Sequence, residues 1–108
     1  MAEKQEVQQE VDFEKKLFRV LPEFVKRVSE VILKQLLDGL LLDGVFALSE
    51  IEDILQKNQT RAEKARDTIL AVMKKGNEAC RLMIKRLQQR DSTLFNQLGL
   101  SSDSSGPE

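Results

Sequence analysis

Asn58–Cys80 reads NQTRAEKARDTILAVMKKGNEAC and spells out one helix with both of its ends. Thr60-Arg61-Ala62-Glu63 is a capping box, in which the Thr hydroxyl and the Glu carboxylate each accept from a backbone N–H that a helix start leaves orphaned. Ala62, Ala65, Ile69, Val72 and Met73 then recur at helical spacing as one apolar stripe. Lys74 and Lys75 fall in the last turn, where the helix dipole favours cations, and Gly76 supplies the stop. Asn77 is placed to cap a following helix, to about Gln89, with Ala79, Cys80, Met83, Ile84 and Leu87 as its buried stripe.

The same punctuation continues outward. Upstream, Ser49-Glu50-Ile51-Glu52 reads as a second capping box, opening a short helix to Lys57 that offers Ile51, Ile54 and Leu55. Before it, Ser29 caps a helix from about Glu30 to Leu42, with a wide apolar face of Ile32, Leu33, Leu36, Leu37, Leu40 and Leu41, closed by Asp43-Gly44. The first helical stretch runs from about Asp12 to Val28 and contains Pro22, which predicts a kink or a new segment there. Downstream, a short helix follows Asp91, with Leu94, Phe95 and Leu98, and ends at Gly99. No run alternates at period two, so no strand competes. The expected fold is all-α, a six-helix antiparallel bundle with its first helix kinked near Pro22.

A chain of 108 residues supports one small core. Residues 1–11 read as a flexible arm, 12–100 as the folded domain, and the Ser/Gly/Pro-rich end SSDSSGPE (101–108) as the start of a linker. The polar opening MAEKQEVQQE lacks the apolar region of a secretory signal. The most apolar stretch, 31–48, is broken by Lys34, Asp38 and Asp43, so no membrane span is expected, and a cytoplasmic location is.

Chemistry is largely excluded by composition. With no His the commonest general base and metal ligand is missing, and one Cys permits neither an internal disulfide nor a Cys-rich zinc site. Cys80 lies in an apolar stripe and reads as a buried, inert thiol. The two LLDG segments lack the alternating oxygen ligands and closing Glu of a calcium loop. Every acid has a capping, turn or surface role, so no catalytic couple stands out. No catalytic residue, cofactor or metal is assigned.

Charge carries more information. The chain is nearly neutral, with 17 bases against 18 acids. Yet residues 35–56 hold five acids and no base, while 57–90 hold ten bases and three acids. Two opposed faces of this kind are complementary between copies of one fold. The run Arg81, Lys85, Arg86, Arg90 keeps a rival reading open, a helical surface that senses nucleic acid or anionic lipid, although a solvated helix face explains the same residues.

Taken together, ILKQLLDGLLLDGV (32–45), SEIEDIL (49–55), NQTRAEKARDTILAVMKKGNEAC (58–80), MIKRLQQRDSTL (83–94) and LGL (98–100) resemble a caspase recruitment domain (CARD), of the death fold. The resemblance is nearest to the prodomains of inflammatory caspases and their CARD-only relatives. It implies that the domain binds other CARDs, setting an acidic face of helices two and three against a basic face of helices one and four. Asp38 matches the acid of the LLD motif and Arg66 the base of the KAR motif. Asp43, Glu52 and Asp53 would continue the acidic face, and Lys26, Arg27, Arg61 and Lys64 the basic one. The implied partners are sensors, adaptors or caspases that carry CARDs, and further copies of the chain joined in oligomers or filaments. Nucleic acid is not among them. A CARD-only decoy that caps such filaments is the near alternative.

Overall fold

The computed structural model describes residues 12–101. The expected arm at 1–11, and all of the expected linker except Ser101, lie outside the described residues. Six helices are ordered as α1 (Phe13–Arg27), α2 (Glu30–Leu42), α3 (Leu48–Lys57), α4 (Arg61–Lys75), α5 (Asn77–Arg90) and α6 (Ser92–Gln97). Among the described residues there is no strand. Helical backbone resumes at Leu100 and Ser101, one residue into the stretch read as linker.

The helices close around one core. α1 packs on α4 and α5, α2 on α5 and α4, α3 on α4, and α6 on α5. Leu17, Val20 and Phe24 of α1 and Leu33, Leu36, Leu37 and Leu40 of α2 belong to one buried cluster with Ala65, Ile69 and Val72 of α4 and Cys80, Met83 and Leu87 of α5. Thr68 is the one polar residue in this buried set among the described residues, and its Oγ1 donates to the Lys64 carbonyl at 2.8 Å. It thereby satisfies itself within its own helix.

Most helix ends follow the expected chemistry. Ser29 Oγ accepts from Ile32 N–H, and Asp91 Oδ1 from Leu94 N–H. The Thr60 box is complete, with Thr60 Oγ1 accepting from Glu63 N–H at 3.0 Å and Glu63 Oε1 accepting from Thr60 N–H at 3.2 Å. Gly44 and Gly76 stand at φ +81° and +112°, where a Cβ would be strained. Gly76 closes α4 and opens α5 in a single residue.

Two expectations are corrected. The box at Ser49 and Glu52 does not form, because α3 begins two residues earlier with Ala47 as its cap. Ala47 has no side-chain acceptor, so only the return half exists, Glu50 Oε1 accepting from Ala47 N–H at 2.8 Å. Asn77 does not cap its own helix but accepts from Phe13 N–H at 2.7 Å, closing the start of α1 from 64 residues away. Of the two alternatives at Pro22, the single helix holds, since α1 runs through it and no second segment starts there. Pro22 has no N–H to give the Phe18 carbonyl, but both residues are exposed, on a side of the helix that water reaches.

These caps separate two otherwise similar serine/threonine positions. Thr60→Ala is expected to destabilise the fold by about 1 kcal/mol, whereas Ser49→Ala stays within about 0.5 kcal/mol of the parent, as read by urea unfolding midpoints. Equal losses at both positions would restore the Ser49 cap.

Candidate protein-interaction site

The side chains assigned to the two faces divide into those tied down within the domain and those left to reach outward. On the acidic side Asp43 is tied down. It caps α2, and its two carboxylate oxygens accept from Arg86 Nε at 2.9 Å and Arg86 Nη2 at 2.7 Å. Side-chain exposure is only 21% for Arg86 and 19% for Asp43, so the pair is largely shielded. The guanidinium reaches Asp43 across Gly39, where an added Cβ would lie 2.7 Å from Arg86 Cδ. The hydrogen bonds from Arg86 hold the Asp43 carboxyl below the usual carboxylate range. Arg86 is therefore not a solvated member of the α5 basic run, as the spacing implied. Arg81 in that run is likewise paired, with Glu78 at 2.6 Å.

Asp38 and Glu52 remain exposed without an ion-pair partner among the described residues, and exposed Asp53 reaches Lys57 only at 3.7 Å. On the basic side Arg61 is a structural residue. Its Nη1 donates to the carbonyls of Val25 at 2.6 Å and Val28 at 2.8 Å, satisfying the end of α1 from the first turn of α4. Lys64 is engaged with Glu30 at 3.1 Å, and Arg27 with Glu23 at 2.9 Å. Exposed Lys26 lies 3.9 Å from the same Glu23, a loose contact, and Arg66 is exposed with no ion-pair partner among the described residues. Helices α1 and α4, which carry these bases, are in contact. The Arg61 and Arg86 anchors were missed by sequence reasoning, since nothing local shows which carbonyl or carboxylate a long side chain will reach.

Nothing in this arrangement resembles a catalytic centre. Cys80 is buried, and burial, aided by the charges of Glu14 and Asp12, pushes its thiol up to about 11, where it is a poor nucleophile. Among the described residues no group of acids, His or Cys is arranged to hold a metal ion, and no helix is long and apolar enough to cross a membrane.

Two consequences are measurable. Arg61→Met removes two charge-assisted bonds and is expected to cost about 2 kcal/mol, while Arg66→Glu leaves the unfolding midpoint nearly unchanged. Asp43 has a depressed folded-state pKa, so its contribution is present above the ordinary carboxylate value and is lost as pH falls through that value and then through the folded one. Asp43→Asn should therefore melt below the parent at neutral pH, and the gap should close as the pH drops below about 4.

Comparison with known proteins fits this geometry. The family model "Caspase recruitment domain" matches residues 14–101. The chain is 36% identical over 80 residues to the putative caspase recruitment domain-containing protein 17P of Homo sapiens, covering 74% of this chain and 73% of that one. It is 36% identical over 85 residues to caspase-1 of Equus caballus, covering 79% of this chain but only 20% of the caspase. To the NLR family CARD domain-containing protein 4 of Bos taurus it is 33% identical over 78 residues, 71% of this chain and 8% of that protein. No solved structure gives a significant match. A bundle whose matched segment runs from α1 through α6, with its charges at the surface and no catalytic site among its described residues, belongs to the caspase recruitment domain family of homotypic interaction modules.

Proposed function

We propose that the domain recruits and clusters CARD-bearing proteins in the cytoplasm, in innate-immune or cell-death signalling, by setting its α2–α3 acids against the α1–α4 bases of the next domain. The observation that carries this reading is that internal pairing leaves Asp38 on α2 and Arg66 on α4 both exposed and without an ion-pair partner among the described residues. An exposed pair contributes only about 0–1 kcal/mol, so the charges chiefly set orientation and exclude wrong partners. A contact between unlike faces is heterologous, and repetition extends it into a filament rather than closing a dimer. Where such a domain precedes a protease, filament growth raises the local concentration of protease domains and so activates them.

A second reading, a CARD-only decoy that caps filaments, is favoured by the similarity to protein 17P over most of that protein's length. The anionic-ligand reading loses ground, because two of the four bases it needs, Arg81 and Arg86, are already engaged by Glu78 and Asp43.

Negative-stain microscopy at low micromolar concentration tests the proposal. The parent should form filaments, whereas Asp38→Arg and Arg66→Glu should not, each with an unchanged circular dichroism spectrum. Filaments in all three samples would discard these faces. A parent that forms none yet stops growth of another CARD's filaments would identify the decoy. Binding to anionic vesicles that is lost in Arg81→Glu/Lys85→Glu, but kept in Asp38→Arg, would return the sensor.

A further inference from the structure

Two exposed charges without an ion-pair partner among the described residues, Asp38 and Arg66, each stand one turn from an exposed leucine. Leu42, at the end of α2, is 78% exposed and lies four residues beyond Asp38. Leu70 of α4 is 38% exposed and lies four residues beyond Arg66. Four residues are just over one helical turn, about 6 Å of rise, so in each case charge and leucine share a face.

The two sides differ in shape. Leu42 projects from a helix end. Leu70 and Arg66 instead line a hollow of about 300 Å3 at the α3–α4 junction, together with Lys57, Asn58, Glu63 and Asp67. The acids of that hollow are already satisfied. Asp67 accepts from Asn58 at 2.9 Å and lies 3.4 Å from Lys57, and Glu63 accepts from the N–H groups of Gln59 and Thr60. Arg66 is the base there without an ion-pair partner among the described residues, and Glu63 is held by backbone N–H groups.

We propose that Leu42 of one copy of this chain enters the Arg66–Leu70 hollow of the next copy and packs on Leu70 while Asp38 meets Arg66. Both halves are present on the same chain, with opposite charges and equal spacing, so the occupant is a second copy. The inference rests on the face-to-face reading and adds the apolar anchor that reading lacks. An exposed ion pair binds weakly alone, whereas taking a leucine side chain out of water adds the apolar burial that the charges lack, with the charges as its rim.

The test is a double-mutant cycle on the full 108-residue chain, with the critical concentration for assembly measured by sedimentation. Leu42→Ser and Leu70→Ser should each raise that concentration by about tenfold or more, and the double variant no further than the worse single one. Leu42→Met should keep parental assembly. Leu42 is exposed, so its variants retain the parental melting temperature, and that arm decides the matter should Leu70→Ser prove unstable. Fully additive losses would mean the two leucines do not meet. If Leu42→Ser is silent while Asp38→Arg abolishes assembly, the charged faces survive and this contact falls. A parent that stays monomeric at every concentration tested overturns the second copy as occupant and leaves recruitment of other CARD proteins standing.

Discussion

The stripe formed by Cys80, Met83, Ile84 and Leu87 on α5 is the surface on which the bundle closes. It lies in the core with α1, α2, α4 and α6 all packed on its helix. Because α5 is surrounded, polar groups at the edge of the stripe have to find partners among the neighbouring helices. Arg86 stands three residues beyond Met83 and meets this requirement by crossing Gly39 to Asp43. A side chain at position 39 would hold the guanidinium away, so a small residue on α2 and a long one on α5 form a single fitted contact. The ion pair and the hydrophobic packing are parts of the same close approach.

The accounting of charge follows from that packing. A formal count puts four acids and five bases on the two faces, but the fold draws Asp43, Arg61, Lys64 and Arg27 into its own hydrogen bonds. Asp43, Arg61 and Lys64 bond between helices, whereas Arg27 pairs with Glu23 within α1. The remainder, with Asp38 and Arg66 foremost, are free to act between molecules. Charge segregation along a sequence thus mixes two populations, and only the three-dimensional arrangement sorts them.

What could be read directly from the residues was local. Ser29, Thr60, Asp91, Gly44 and Gly76 mark helix ends through chemistry that spans no more than four positions, and each lies where it was expected. Residues whose partners are remote were not legible. Asn77 looks like a cap for its own helix until α1 is docked, when Phe13 N–H takes its carbonyl oxygen. Arg61 and Arg86 look like solvent-facing bases for the same reason. Ser49 failed differently, since the helix starts one residue after Ala47 and Glu50 already serves the cap N–H. The candidate faces were legible as motifs, through Asp38 in LLD and Arg66 in KAR, but the leucines one turn beyond them acquire meaning only with their exposure.

The long reach of Asn77 to Phe13 also constrains how the domain is made. Of the described helices α1 is made first, yet its apolar face packs on α4 and α5, the fourth and fifth of the six. Until they emerge, Leu17, Val20 and Phe24 have no complete surface to cover them. The nascent chain therefore passes through a stage in which α1 is amphipathic and unpartnered, the condition that attracts chaperones and promotes premature association. Docking of that helix comes late, and the two faces of the domain become complete together with its core.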